Sequence, residues 1–279
     1  MFKINKITSH PIVDFAAEEL KKYLRMMMPD AGEIIIKYAP EAKDGFRLGL
    51  MSDFSLDTSE AGELELDDII HIDTDEKGGI IAGSNMRSIL LAVYKYLTLN
   101  GCRWLFPGVD GEFIPVKDVA PTAYHKMADN RYRGWCNEGA EFQKCMIDAI
   151  DFAPKVGLNV FMLEFFIPQV YHVWYYDHLH NEANREREPV TPETVYQWKM
   201  ACEAEIAKRS LQFHDIGHGW SALPFGLRQE DMYKEGGVKV PEETIPFLAQ
   251  LNGKRGLYRG NPNHTNLCLS NPEARRRMV

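Results

Sequence analysis

Apolar positions in the first 120 residues follow two spacings, one typical of helices and one typical of strands. Helical spacing predicts a helix around 16–27 and a second over 86–99, which ends just before Gly101. Between them, short runs rich in β-branched residues predict strands at 33–39, 46–51, 68–74 and 79–84. This pattern predicts an N-terminal α+β domain over residues 1–122.

From about Arg131 the pattern changes to a regular alternation of strands and helices. Apolar runs predict four strands, at 131–137, 158–166, 211–216 and 265–269. Helices are predicted after each of them, over 141–156, from Thr191 onward, near 241–252 and after Ser270 or Asn271, either of which could cap the helix. Such an alternation calls for a parallel sheet with helices outside it.

Two parallel architectures fit that alternation, a doubly wound sheet and a (β/α)₈ (TIM) barrel. No Gly-x-Gly-x-x-Gly turn or P-loop follows any predicted strand, so a nucleotide-binding sheet loses support and no cofactor is expected. A barrel needs eight units and typically about 250 residues. We therefore predict an α/β fold in which the N-terminal domain is followed, over 123–279, by the first half of a barrel. Its open edge strands could mediate self-association.

Composition and charge limit the classes of partner and the cellular location that can be expected. A net charge of −8 argues against a nucleic-acid partner. The N-terminal stretch "MFKINKITSHPIVDF" contains no apolar run suited to a signal peptide or a membrane span. The five cysteines are widely spaced and form no CxxC pair, which is typical of reduced thiols and predicts a cytoplasmic location.

Polar and aromatic residues gather where the predicted strands end, which is where parallel α/β folds bind their ligands. Sugars suit such a site, because aromatic rings stack on their apolar faces and polar side chains bind their hydroxyls. A long aromatic loop at 169–180 adds to it, although its rings could equally serve only to pack the loop. The strand ends deliver Trp135, Asn137, Glu138, Glu164, His214, Asp215, His218 and Trp220.

Two kinds of catalytic site are also conceivable from these residues. His214, His218 and Glu164 are a possible zinc set, but histidines four apart face one metal on a helix, whereas Gly217 and Gly219 indicate a strand end and turn. No metal site is therefore predicted. For the paired carboxylates that glycoside hydrolysis requires, Glu138, Glu164 and Asp215 are available, although an exposed or salt-bridged structural role is the default for each.

Several stretches make the chain resemble known glycoside hydrolases. The region after residue 130 resembles the first half of a family 20-type barrel in "RGWCNEGAEF", "IDFAPKVGLNVFMLEF", "FHDIGHGWSAL" and "NLCLSNPEARRRM". The first 120 residues resemble the α+β domain that precedes the barrel in α-glucuronidases of family 67 and in β-hexosaminidases, with the segment 81–108 most similar.

The resemblance implies roles for individual residues. Arg133 matches the family's sugar-binding arginine of the first strand, and His218 matches a histidine near the pocket, while the segment "LEFFIPQ" departs from the hexosaminidase pattern. The family places its catalytic carboxylates on later strands, so they are expected beyond Val279. The implied function is hydrolysis of O-glycosidic bonds in an oligosaccharide or glycoside, with uronic or acetamido sugars as candidates.

Two rival hypotheses remain open at this point. The first is a non-catalytic sugar-binding or assembly module that has kept the fold without the chemistry. The second, with less support, is a zinc-dependent hydrolase that uses His214, His218 and Glu164.

Overall fold

The computed structural model describes residues 2–137, 142–164, 175–177, 190–217, 219–228, 231 and 235–278. The predicted site residues Glu138 and His218, and nearly all of the aromatic loop at 169–180, lie outside these ranges. The chain divides into two compact units, one of which contains 1–135, 144–161 and 202–213, and the other 136–143, 162–201 and 214–279.

A six-stranded mixed sheet forms the centre of the first unit. The strands of this sheet are β1 (Phe2–Lys6), β2 (Ile34–Tyr38), β3 (Phe46–Leu50), β4 (Ile69–Asp75), β5 (Gly78–Gly83) and β8 (Thr122–Met127), and a small antiparallel pair is formed by β6 (Arg103–Trp104) and β7 (Glu112–Phe113). The order in the sheet is β2-β1-β3-β5-β4-β8. The pairs β1–β2, β1–β3 and β3–β5 are parallel, whereas β4 is antiparallel to both β5 and β8.

The four strands predicted in this region are thus confirmed, while β1 and β8 were not predicted. Because β8 pairs with β4, the sheet extends beyond residue 122, where the sequence predicts the domain boundary. The boundary itself stays a prediction.

Two helices supply most of the apolar core of this unit. Helix α1 (Pro11–Met27) begins after His10, whose side chain accepts a hydrogen bond from the Ile12 amide. Helix α2 (Met86–Leu99) has the predicted bounds, and Asn85 caps it through the Ser88 amide at 2.9 Å. The apolar faces of both helices are buried with Ile4, Phe46, Leu48 and Ile81 of the sheet. Burial of these faces fixes where the loops between strands and helices emerge.

The contact between α2 and the sheet depends on Gly83, the last residue of β5. A Cβ atom at this position would lie 2.4 Å from the backbone nitrogen of Ile89 and 2.6 Å from the Ser88 Cβ. We expect Gly83→Ala to lower the free energy of unfolding by about 1–3 kcal/mol, because the helix must shift away from the sheet. Urea denaturation would measure it.

Gly62→Ala is the matched control, since its nearest neighbour to an added Cβ is an Asp67 oxygen at an ordinary 3.5 Å. That variant should unfold within about 0.5 kcal/mol of the parent protein. Equal losses in both variants would contradict the close-approach argument.

The second half of the chain contains a three-stranded sheet. Its strands are β9 (Cys136–Asn137), β10 (Val160–Glu164) and β11 (Gln212–Ile216), in the order β11-β10-β9, and β9 and β10 are parallel. Helix α3 (Gln143–Lys155) connects β9 to β10, and helix α4 (Pro192–Lys208) precedes β11. Three of the four predicted strands, and the helices between them, are therefore confirmed, although β9 is much shorter than 131–137.

The fourth strand and the helix before it were predicted wrongly. Residues 265–269 contribute only an isolated bridge between Leu267 and Leu248. The segment 241–252 forms a 3₁₀ helix (Glu242–Phe247) and then the hairpin of β12 (Gln250–Leu251) and β13 (Lys254–Arg255). Pro246 explains the helix error, because proline lacks the amide hydrogen that an α-helix needs.

The last predicted helix is present as α5 (Pro272–Met278). Of the two predicted caps, Ser270 and Asn271, it is Asn271 that caps the helix, by accepting hydrogen bonds from the amides of Glu273 and Ala274. The fold as a whole is mixed α/β. None of the described helices combines the length and the apolar composition that crossing a lipid bilayer requires.

Candidate functional site

Four of the predicted site residues lie on β10 and β11, which are neighbours in their sheet, or in the turn after β11. Glu164 is the last residue of β10, His214 and Asp215 belong to β11, and Trp220 lies in the turn that follows. All four side chains are partly exposed. These strands and the turn thus carry two carboxylates, an imidazole and an indole, with His214 and Asp215 on opposite faces of the sheet because successive residues of a strand alternate.

Asp215 is the centre of this group. Its Oδ2 atom lies 2.5 Å from the Lys199 Nζ, and its Oδ1 accepts a 2.9 Å hydrogen bond from the Trp220 indole N–H. The lysine side chain is 2% exposed and that of the aspartate 13%, so water screens this ion pair little. Both carboxylate oxygens are thus engaged by neighbouring side chains. These contacts are typical of a residue that holds its partners, here Lys199 and Trp220, in position.

Trp220 is held from a second direction by the same lysine. The Lys199 Nζ lies 5.1 Å from the centre of the indole ring, within the range of a cation–π contact. The hydrogen bond to Asp215 fixes the edge of the ring, and the ammonium group lies over it. An aromatic side chain with its orientation fixed in this way loses little further entropy when a ligand stacks on it.

The turn between β11 and Trp220 depends on Gly217. This residue has φ +98°, and a Cβ atom there would lie 2.3 Å from Cγ and 3.0 Å from Oε1 of Glu164. Only glycine fits such a conformation so close to a neighbouring side chain. The glycine predicted to make a tight turn therefore also leaves the space that the Glu164 side chain occupies.

Asn137, another predicted site residue, is the last residue of β9 and is buried, with Leu163 of β10 as its register partner. Glu138 follows it but lies outside the described residues, as does His218. Their assignments to the site, like those of the described residues, stay predictions.

Arg133 and Trp135 precede β9, and their contacts are with residues that were not predicted for the site. The Arg133 guanidinium donates to the Asp68 carboxylate at 2.6 Å and to the carbonyl oxygens of Gly157 at 2.9 Å and Asn130 at 2.7 Å. Trp135 packs against the rings of Phe152 and Phe161. These contacts favour structural roles for both residues, and sugar binding by Arg133 stays a prediction.

Lys199 is the site residue that the sequence interpretation missed. Val195, Trp198, Cys202 and Ile206 follow helical spacing in the sequence, and position 199 falls on the same face of α4 because it is four residues after Val195. Val195, Lys199, Cys202 and Ile206 are indeed buried. A lysine on the buried face of an amphipathic helix is itself a signal of a buried ion pair.

Comparisons with known proteins give distant structural likenesses only. No family model and no curated protein matches the chain. Among solved structures, it is similar to a GH138 enzyme targeting pectin rhamnogalacturonan II, with TM-score 0.46 and 12% identity over 76% of this chain and 24% of that one. It is also similar to CpGH89 from Clostridium perfringens in complex with its substrate GlcNAc-α-1,4-galactose, with TM-score 0.44 and 12% identity over 91% and 30%.

A third similar structure is CpGH84D, with TM-score 0.38 and 13% identity over 80% of this chain and 43% of that one. These structural neighbours are glycoside hydrolases. The chain spans less than half the length of each of them.

Proposed function

We propose that this chain is part of a carbohydrate-active, glycoside hydrolase-like protein and that Trp220 is a stacking platform for a sugar ring. The observation that carries the proposal is the fixed indole, which is bound at its N–H by Asp215 and flanked by Lys199 while remaining partly exposed. A rigid, accessible aromatic ring beside polar side chains is what recognition of a sugar requires.

Side chains of β10 and β11 are the candidates for the polar part of such a site. Glu164 and His214 come from adjacent strands and offer a carboxylate and an imidazole, which can accept or donate hydrogen bonds to sugar hydroxyls. These groups belong to strands rather than to loops, so their spacing is set by the sheet.

The proposed architecture is a partial (β/α)₈ barrel. It is supported by the parallel β9–β10 pair, by the third strand beside it, and by the helices α3 and α4 between successive strands. In a barrel of this type the carboxyl ends of the strands form the ligand site, and that is where Glu164 and the Trp220 turn lie. For the whole protein, we propose hydrolysis of O-glycosidic bonds, with uronic or acetamido sugars as candidate substrates.

A non-catalytic sugar-binding role for this chain is the second candidate. It is favoured by the contacts of Asp215, whose two oxygens are engaged by Lys199 and Trp220. Hydrolysis of aryl glycosides by the full-length protein would distinguish the two, because a binding module would bind the sugar without releasing the aryl group.

Replacement of Trp220 tests the proposed platform. Trp220→Ala should raise the Kd for the bound oligosaccharide roughly 10- to 100-fold, since loss of a stacked aromatic side chain costs about 1.5–3 kcal/mol. Isothermal titration with glucuronic acid-containing and N-acetylglucosamine-containing oligosaccharides would measure it. Trp220→Phe should lose less, because it keeps a ring.

Tyr258→Ala is the control, since this exposed tyrosine lies in a separate 3₁₀ turn. Its Kd should equal that of the parent protein. Unchanged affinity in Trp220→Ala, or no binding of any tested saccharide by the parent chain, would contradict the platform.

A further inference from the structure

Two histidines meet on the six-stranded sheet, on strands that contain none of the residues of the proposed sugar site. His71 of β4 and His125 of β8 are register partners in an antiparallel pair. Their Nδ1 atoms are 3.1 Å apart, and the two rings meet edge to face with centroids at 5.3 Å. Because both backbones belong to one sheet, the spacing of the two imidazoles is fixed by the fold.

A carboxylate determines which nitrogen of His125 carries a proton. The Glu60 Oε1 lies 3.2 Å from the Nε2 of His125. A carboxylate accepts but does not donate, so in the neutral imidazole the proton is at Nε2 and the Nδ1 lone pair is directed at His71. Metal-binding histidines characteristically have this arrangement, with the ring nitrogen that does not bind the metal donating to a carboxylate.

Packing on the same face of the sheet positions Glu60. Ile69 and Met127, which share that face with the two histidines, pack with Leu56 and Ala61 of the preceding segment. The Glu60 carboxylate therefore belongs to a segment that is packed against the sheet both before it, at Leu56, and after it, at Ala61.

The acidic side chains around the pair favour binding of a cation. Asp73, Asp57 and Glu60 are the acidic groups around the pair, and the chain as a whole has a net charge of −8. Such a cluster raises the local concentration of cations.

We propose that His71 and His125 bind one divalent transition-metal ion through their Nδ1 atoms, with Glu60 positioning His125 and with the ring proton of His71 moved from Nδ1, where it donates to His125 in the absence of metal, to Nε2. Two imidazole nitrogens on a tetrahedral zinc ion are about 3.3 Å apart, close to the separation present here. Imidazole selects Zn²⁺, Ni²⁺ or Cu²⁺ over Mg²⁺ and Ca²⁺, which prefer oxygen ligands. Water would complete the coordination, since no group of three or more metal-ligating side chains occurs within the described ranges.

This site differs from the zinc set considered from the sequence, which consists of His214, His218 and Glu164. It is also independent of the proposed sugar site, so either proposal can fail while the other holds.

Isothermal titration of the purified chain with ZnCl₂, and with MgCl₂ for comparison, tests the proposal. We expect saturable Zn²⁺ binding that is lost in His71→Ala and in His125→Ala, and no response to Mg²⁺. Glu60→Gln should weaken Zn²⁺ binding roughly 10-fold, as loss of an orienting carboxylate typically does. His264→Ala, which removes an exposed histidine elsewhere, should bind like the parent chain.

Far-UV circular dichroism would establish that each variant is folded. A measurement on the unaltered chain does not require any variant to fold. In long-range ¹H–¹⁵N spectra of that chain, the Nδ1 signals of His71 and His125 should both shift when Zn²⁺ is added. Zn²⁺ binding that survives in both histidine variants, or Nδ1 signals that do not respond to saturating Zn²⁺, would overturn the proposal.

Discussion

Replacing Asp68 with alanine is expected to lower the free energy of unfolding by about 3–5 kcal/mol. The side chain of Asp68 is 1% exposed and carries a charge that two arginines neutralise. Its Oδ1 accepts hydrogen bonds from Arg87 at 2.7 Å and Ser88 at 2.8 Å, and its Oδ2 from Arg133 and Asn159, each at 2.6 Å. Removing the carboxylate leaves buried donors and the Arg87 charge without their acceptor.

An exposed ion pair in the same unit provides the control for that measurement. Asp44 pairs with Lys3 at 2.6 Å, but both side chains are largely in water. Asp44→Ala should therefore unfold at nearly the same urea concentration as the parent protein. Urea denaturation of the three proteins gives the comparison, and similar losses in both variants would show that the buried network is not the cause.

The stabilisation by Asp68 should also depend on pH in a defined direction. Burial would by itself raise the pKa of Asp68, but the charges and hydrogen bonds of Arg87 and Arg133 outweigh it and hold the pKa below its usual value. A group with a lowered pKa in the folded state stabilises above the pKa of the unfolded chain, about 3.9, and loses this effect as pH falls through the folded value. The difference in stability between the parent chain and Asp68→Ala should therefore shrink below about pH 4. A constant difference would contradict this linkage.

The sequence predicts the first unit better than the second, for identifiable physical reasons. Helix α2 has the predicted bounds because its apolar face, its cap at Asn85 and the glycine after it all agree. At 265–269, by contrast, a short apolar run does not specify what it packs against. In the structure Leu267 belongs to a local cluster with Phe225, Leu227 and Leu248, and burial in that cluster does not require a strand.

The positions of the candidate site residues could likewise be predicted from the sequence, whereas the partners of the buried charges could not. The position of Glu164, Asp215 and Trp220 follows from where a strand ends, which periodicity indicates well. The partners of Asp68 are separated from it by up to 91 residues, and pairings of that kind leave no local pattern in one sequence. Arg133 was assigned a role in sugar binding by resemblance, whereas its contacts in the structure are with Asp68 and carbonyl oxygens.

Lys155→Met is expected to cost a further large loss, again about 3–5 kcal/mol. The ammonium group is 3% exposed and lies 2.7 Å from Glu112 Oε1 and 2.5 Å from Asp151 Oδ2. Glu112 Oε1 also accepts the Tyr23 hydroxyl at 2.6 Å, so the lysine is its only charged hydrogen-bond donor in the described part of the chain. Methionine keeps the apolar stem but leaves Glu112 buried without a cation bonded to it.

The pair of Lys144 and Asp148 on the same helix supplies the control, and Lys144→Met should unfold at nearly the same urea concentration as the parent protein. Adding Glu112→Gln to Lys155→Met should recover part of the loss, because the uncompensated charge is then removed. The loss in Lys155→Met should also diminish as the pH falls, since protonation of Glu112 has the same effect as the glutamine. Thermal and urea unfolding of the single and double variants would measure both effects. If the double variant is no more stable than Lys155→Met at neutral pH, the loss comes from packing of the lysine stem rather than from the buried carboxylate.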